Sequence, residues 1–104
     1  MPIRIIIDQQ AIEAFCQRWG VTELDLFGSA IREDFRDDSD VDILASFSDE
    51  RRPTLLTLLQ MEAELETLFV RRVDLLERRS VERSDNYIRR KHILAHREPL
   101  YVAG

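Results

Sequence analysis

Ile12, Phe15, Cys16 and Trp19 recur at helical spacing, so they share one face of a helix predicted from about Gln9 to Trp19. Asp8 precedes it as a capping side chain, and Gly20 stands where a left-handed residue stops a helix. Val21 to Phe27 reads as a strand, with Leu24 and Leu26 on one face and Val21 outside the strict alternation. A short helix or turn is expected from about Ser29 to Asp34, a second strand over Val41 to Phe47, and a polar loop over Ser48 to Pro53. A long helix fits Thr54 to Phe69, where Leu55, Leu58, Leu59, Glu62, Leu65, Leu68 and Phe69 trace a stripe broken only by Glu62. That stripe and Trp19 are read as core. Arg72 to Leu76 is expected to be a third strand, and Ser84 to cap a last helix from Asp85 to about His96. Pro99 to Val102 can add an edge strand, where a leading proline is tolerated.

This alternation of helix and strand argues for a single α/β domain over residues 1–104. Composition agrees: 44% hydrophobic and 34% charged residues suit one folded core with a charged surface. A net charge of −5 argues against a dedicated nucleic-acid module, which needs a basic footprint. An acidic protein that handles a nucleotide needs cations in between. Cys16 is the only cysteine and, beside Phe15 and Trp19, reads as a buried thiol; no intrachain disulfide or paired-cysteine metal site is possible. The apolar run at the N-terminus is too short for a signal peptide or a membrane span, so the protein is expected in the cytoplasm, away from membranes.

The candidate chemistry begins with the run Asp37, Asp38, Asp40 and Asp42. Asp40 and Asp42 lie two apart where a strand starts, so both side chains leave one face. Carboxylates that close repel each other, and a hard cation such as Mg²⁺ removes the repulsion. Asp74 interrupts an apolar strand, a position poor for folding. If the third strand pairs with the second, Asp74 joins the other two, and three carboxylates can hold two ions for in-line displacement at phosphorus. Asp74 alone would read equally as a strand-end cap or a partner of Arg71 or Arg72. Gly28-Ser29 follows the first strand directly: glycine lets backbone approach a phosphate, a helix opening there offers free N–H groups, and the serine hydroxyl adds a donor. By itself a Gly-Ser turn is ordinary, and an acidic run is by itself a solvated loop. The combination carries the signal: Gly28-Ser29, ten residues, then Asp40-Val41-Asp42 entering an apolar strand, then a helix and a strand with Asp74.

That pattern, from Leu26-Phe27-Gly28-Ser29 through Asp40-Val41-Asp42-Ile43-Leu44, resembles the nucleotidyltransferase superfamily of DNA polymerase beta, and within it the stand-alone minimal nucleotidyltransferases. Val73-Asp74-Leu75, Tyr87-Ile88-Arg89 and Pro99-Leu100-Tyr101 resemble the same group, so the likeness covers most of the chain. It implies a small mixed sheet with about four helices. It further implies two Mg²⁺ ions on Asp40, Asp42 and Asp74, the last also helping to activate the acceptor hydroxyl. Gly28 and Ser29 would hold the terminal phosphates of ATP. Arg32 matches an arginine often found in the motif, with a surface ion pair to Glu33 or Asp34 as the alternative. Glu33 stands where many relatives have glycine, and Ile31 where a small residue is commoner, so the phosphate loop departs from the pattern. Such proteins are antitoxins of HEPN-domain toxins. The resemblance implies AMP transfer from ATP to a toxin tyrosine within a hetero-oligomer, with no direct contact to nucleic acid.

Two other readings stand beside this one. The fold could mask a toxin without turnover, or it could modify a small molecule in a pocket formed at an oligomer interface. The basic run Arg89-Arg90-Lys91-His92 is either a solvated face or a contact to triphosphate or an acidic partner. His92 and His96 lie four apart, but no carboxylate on that helix completes a zinc site.

Overall fold

The computed structural model describes residues 8–28 and 40–103. The expected turn at Ser29 to Asp34 lies outside them. Helix α1 (Gln9–Trp19) is capped as its sequence dictates: Asp8 accepts from the amides of Gln10 and Ala11, and Gly20 turns left-handed at φ 76°. Strand β1 (Val21–Phe27) pairs antiparallel with β2 (Val41–Phe47). A register shift between Val21 and Glu23 explains why Val21, out of phase in the sequence, is nevertheless buried. A short 3₁₀ turn, Asp49–Arg51, interrupts the polar loop, and Thr54 caps α2 (Leu55–Phe69) by accepting from the Thr57 amide. Strand β3 (Val73–Glu77) runs parallel to β2, as a strand–helix–strand unit requires.

The last third departs from expectation. A five-residue helix α3 (Arg78–Glu82) follows β3 directly, and α4 spans Tyr87–Ala95. The cap of α4 is Asn86, which accepts from the Arg89 amide, whereas Ser84 accepts one step earlier, from the Asn86 amide. Strand β4 (Arg97–Val102) then pairs antiparallel with β1 and forms a sheet edge, in the order β3-β2-β1-β4. Pro99 is accommodated on that edge beside a register shift.

The sheet separates two cores. On one face Leu24, Leu26, Val41, Ile43, Val73 and Leu75 meet Ile12, Phe15 and Cys16 of α1 and Met61, Leu65 and Phe69 of α2. Each fully buried aliphatic side chain there contributes about 1.5–3 kcal/mol. On the other face Phe27 and Leu44 meet Val81 of α3 and Ile93 of α4.

Two side-chain readings are corrected here. The α2 stripe is not uniformly core: Leu55 and Leu59 are exposed, and the inward positions are Met61, Leu65 and Phe69. The helix is rotated because Glu62 and Glu66 face β3, where they accept from the amides of Leu75 at 2.9 Å and Val73 at 3.1 Å. Those amides lie on the outer side of an edge strand, and the two carboxylates close that edge. Trp19 is only partly buried and donates its indole N–H to Glu64 at 2.8 Å. Among the described residues, no helix is long and apolar enough to cross a membrane.

Candidate active site

Strand pairing decides where the carboxylates go. Asp42 of β2 lies opposite Phe27 of β1 on one side and Asp74 of β3 on the other. Paired residues share a face, so Asp42 and Asp74 stand side by side about 4.8 Å apart along the sheet. Asp40 lies at the mouth of β2, two residues before Asp42, where the Val41 amide donates to the Arg72 carbonyl at 2.8 Å. Asp40 and Asp74 are exposed and Asp42 is half-buried. The third strand thus pairs with the second, and the pairing sets Asp74 beside Asp42. Of the acidic run, Asp37 and Asp38 lie outside the described residues, Asp40 is exposed and Asp42 is held in a strand.

Gly28 completes this end of the sheet. It follows β1 at φ 61°, a left-handed conformation that disfavours residues with a β-carbon. A β-carbon there would collide with the Asp42 carboxylate. The glycine of the sequence motif thus has a second role besides approach to phosphate: it leaves room for the carboxylate fourteen positions later. Ser29 and Arg32 lie outside the described residues, as do Ile31 and Glu33.

The donors at the carboxylate end are all hard oxygens, which suits Mg²⁺ rather than a soft metal. Among the described residues, no three acidic, histidine or cysteine side chains converge closely enough to form a metal cluster. The backbone register brings the aspartates together, and a cation would draw the side chains inward.

A charged cluster the sequence did not signal lies on the same face. Asp25 is 1% exposed and accepts from Arg97 Nη1 at 3.0 Å, while its Oδ1 has no partner among the described residues. Arg97 Nη1 also donates to Glu23 at 3.2 Å, and its Nε donates to the Leu94 carbonyl. Arg78 approaches Glu23 from α3 at 3.8 Å. Burial, and then the adjacent Glu23 carboxyl, push Asp25 up to about 6 against the lowering pull of Arg97. Cys16, fully buried, is pushed up to about 12 by desolvation and is no nucleophile.

A doubly layered sheet with paired aspartates at one end, facing a glycine turn, is the arrangement of a nucleotidyl-transferring domain. The nucleotidyltransferase domain family matches residues 8–96, and the chain belongs to it. A solved structure described as a minimal nucleotidyltransferase is 32% identical, with a TM-score of 0.67, covering 88% of this chain and 87% of that one. Protein adenylyltransferase MntA of Thermococcus cleftensis is 45% identical over 65 residues, which are 62% of this chain and 64% of that protein's length. Two toxin–antitoxin structures share the fold. One, with AMP-PNP, has a TM-score of 0.72 at 17% identity and covers 93% of this chain and 75% of that one. The other, a tri-AMPylated HEPN toxin of Shewanella oneidensis with its MNT antitoxin, has a TM-score of 0.61 at 16% identity and covers 91% and 70%.

Proposed function

We propose that this protein is a Mg²⁺-dependent adenylyltransferase that moves AMP from ATP to a tyrosine of a HEPN-domain toxin, and so acts as that toxin's antitoxin. The observation that carries the reading is the in-register pair Asp42 and Asp74 beside Gly28. The names of its relatives support the acceptor and the donor: one is a protein adenylyltransferase, and one fold neighbour is bound to an AMPylated HEPN toxin. A reaction fed by ATP belongs in the cytoplasm.

Asp40, Asp42 and Asp74 would hold Mg²⁺, which when bound supplies positive charge between an acidic protein and a polyphosphate. The chain's own residues do the rest. The turn at Gly28 brings backbone close to the phosphates, and Ser29 and Arg32 add donors to them. Asp74 is exposed on an edge strand, in register with Asp42. Its carboxylate takes the phenolic proton as the tyrosine oxygen bonds to the α-phosphorus. The bond from that phosphorus to the bridging oxygen breaks, and pyrophosphate leaves.

The test is intact-mass spectrometry of the HEPN partner after incubation with Mg-ATP. Mass increments of AMP on the partner, absent with Asp42→Asn, are the expected result. An unmodified partner that is still inhibited would favour a second reading, in which the fold masks the toxin without turnover. That reading draws on the carboxylates' not converging into a three-ligand cluster among the described residues.

A further inference from the structure

Helix α4 presents an outward face that the chemistry above does not use. Tyr87, Ile88, Lys91, His92, Ala95 and His96 are all exposed, Ile88 by 79% and Tyr87 by 59%. Together they line an apolar groove of about 360 Å³. The rings of His92 and His96 stack at 4.5 Å and form one wall. The opposite side of the helix buries Ile93 in the second core, so the groove is not a piece of that core left open.

The charge on this helix runs against the rest of the chain. Tyr87–Ala95 holds Arg89, Arg90 and Lys91 and no acidic residue, in a protein of net charge −5. Arg90 is committed internally: it donates to the carbonyls of Glu82 and Ser84 and lies over the Tyr87 ring. Arg89 and Lys91 make no ion pair among the described residues.

The groove also has a fixed relation to the aspartates. Helices α3 and α4 carry the chain back from the far end of β3 to the start of β4. His96 immediately precedes Arg97, which pairs with Phe27, and Phe27 pairs with Asp42. Asp42 in turn pairs with Asp74, so three strand spacings put the His96 end of the groove roughly 14 Å from Asp74. An extended peptide covers that distance in about four residues.

We propose that the outer face of α4 docks the acceptor protein, and that it takes an acidic segment with one apolar anchor a few residues from the modified tyrosine. This rests on the adenylyl-transfer reading. An acidic partner is repelled by the net charge of −5 and attracted by a helix with three cations and no acidic residue, so the patch both steers and orients it. An apolar anchor among Tyr87, Ile88 and Ala95, with cations at the rim, is the anatomy of a small binding hot spot. RNA is the weaker occupant, because a polyanion needs many cations and this face offers two outside any ion pair among the described residues.

The test uses fluorescence anisotropy without ATP or Mg²⁺. The probes are a short labelled peptide rich in glutamate, with one tyrosine and a leucine nearby, its lysine-for-glutamate counterpart, and a single-stranded RNA. Wild type binds the acidic peptide more tightly than the other two, and less tightly as salt rises. The double variant Arg89→Glu/Lys91→Glu loses at least about tenfold for the acidic peptide and gains for the basic one. Ile88→Ser loses affinity at every salt concentration, with an unchanged melting temperature. Equal binding of both peptides, indifference to both variants, or preference for RNA would each overturn the docking face. Transfer to the HEPN partner is read separately with Mg-ATP. Transfer at an unchanged KM in the double variant sinks the docking proposal alone. Absence of transfer by wild type, with the peptide pattern intact, sinks the enzymatic reading alone.

Discussion

Gly28 and Asp42 occupy one space: the side chain that Gly28 lacks would stand where the Asp42 carboxylate lies. The positive φ of Gly28 adds a backbone reason for glycine at the same position. Gly28→Ala should therefore cost about 1–2 kcal/mol for a left-handed residue with a β-carbon and also displace the carboxylate. A catalytic group moved by an ångström can lose on the order of 10²-fold in rate. We expect a folded variant, seen by circular dichroism, whose transfer rate falls at least that far. Near-wild-type transfer would mean that Asp42 is free to relocate and does not define the site.

Glu62 gives a test in the opposite sense to intuition. It interrupts an apolar stripe, and replacing it with leucine looks like an improvement. But its carboxylate accepts from the Leu75 amide on the outer edge of β3. Glu62→Leu leaves that part-buried amide without an acceptor, at a cost of about 1–3 kcal/mol. Glu62→Gln keeps an acceptor and should lose less. Leu59→Glu, at a position 54% exposed, should stay within about 0.5 kcal/mol of wild type. Urea midpoints of the three variants check this; a stabilised Glu62→Leu would contradict the edge-closing role.

Glu62 also shows what the sequence can and cannot yield. Helix α1, β1 and β2 were legible because caps, glycines and alternation agree at each boundary. The placing of Asp74 beside Asp42 was legible because both stand in apolar strands and one pairing sufficed to bring them into register. The phase of α2 was not, because its rotation answers to amides on a strand that follows it. Helix α3 is too short for a period, with only Val81 buried. Asp25 was invisible for another reason. Alternation sets it opposite Leu24 and Leu26, on what reads as a solvent face. Helices from the last third of the chain cover that face, and Arg97 comes from 72 positions away.

Asp25 supplies a pH prediction. Its carboxyl is raised from an ordinary 3.8 to about 6, so the folded chain holds the proton more tightly than the unfolded one. That contribution to stability is fully present below about pH 4 and is lost as pH rises through about 6. Two units correspond to roughly 2–3 kcal/mol. Asp25→Asn removes this slope, whatever constant offset it incurs through its altered bond to Arg97. The difference in unfolding free energy, wild type minus variant, should therefore fall by roughly that amount between about pH 4 and pH 7. Denaturant titrations across that range give the answer directly. A difference that stays flat would mean that Arg97 keeps Asp25 ionised throughout.

Asp74 separates binding from chemistry. Were it only one wall of a metal cage, its loss should weaken Mg-ATP binding as much as loss of Asp40 or Asp42. Its position argues for more. It is exposed on the outer strand, in register with half-buried Asp42, and makes no ion pair among the described residues. A tyrosine hydroxyl, with a pKa of about 10, is a poor nucleophile at neutral pH. A carboxylate within hydrogen-bond reach can take its proton as the new bond to phosphorus forms, help worth about 10²–10⁴-fold in rate. Asparagine has the same shape but cannot take that proton. Asp74→Asn should therefore keep much of its affinity for Mg-ATP in calorimetry, while its single-turnover transfer to the partner falls by at least about 10²-fold. Asp42→Asn should lose both together. Matched, modest losses in Asp74→Asn would make Asp74 a structural residue, and undiminished transfer would place the third carboxylate elsewhere.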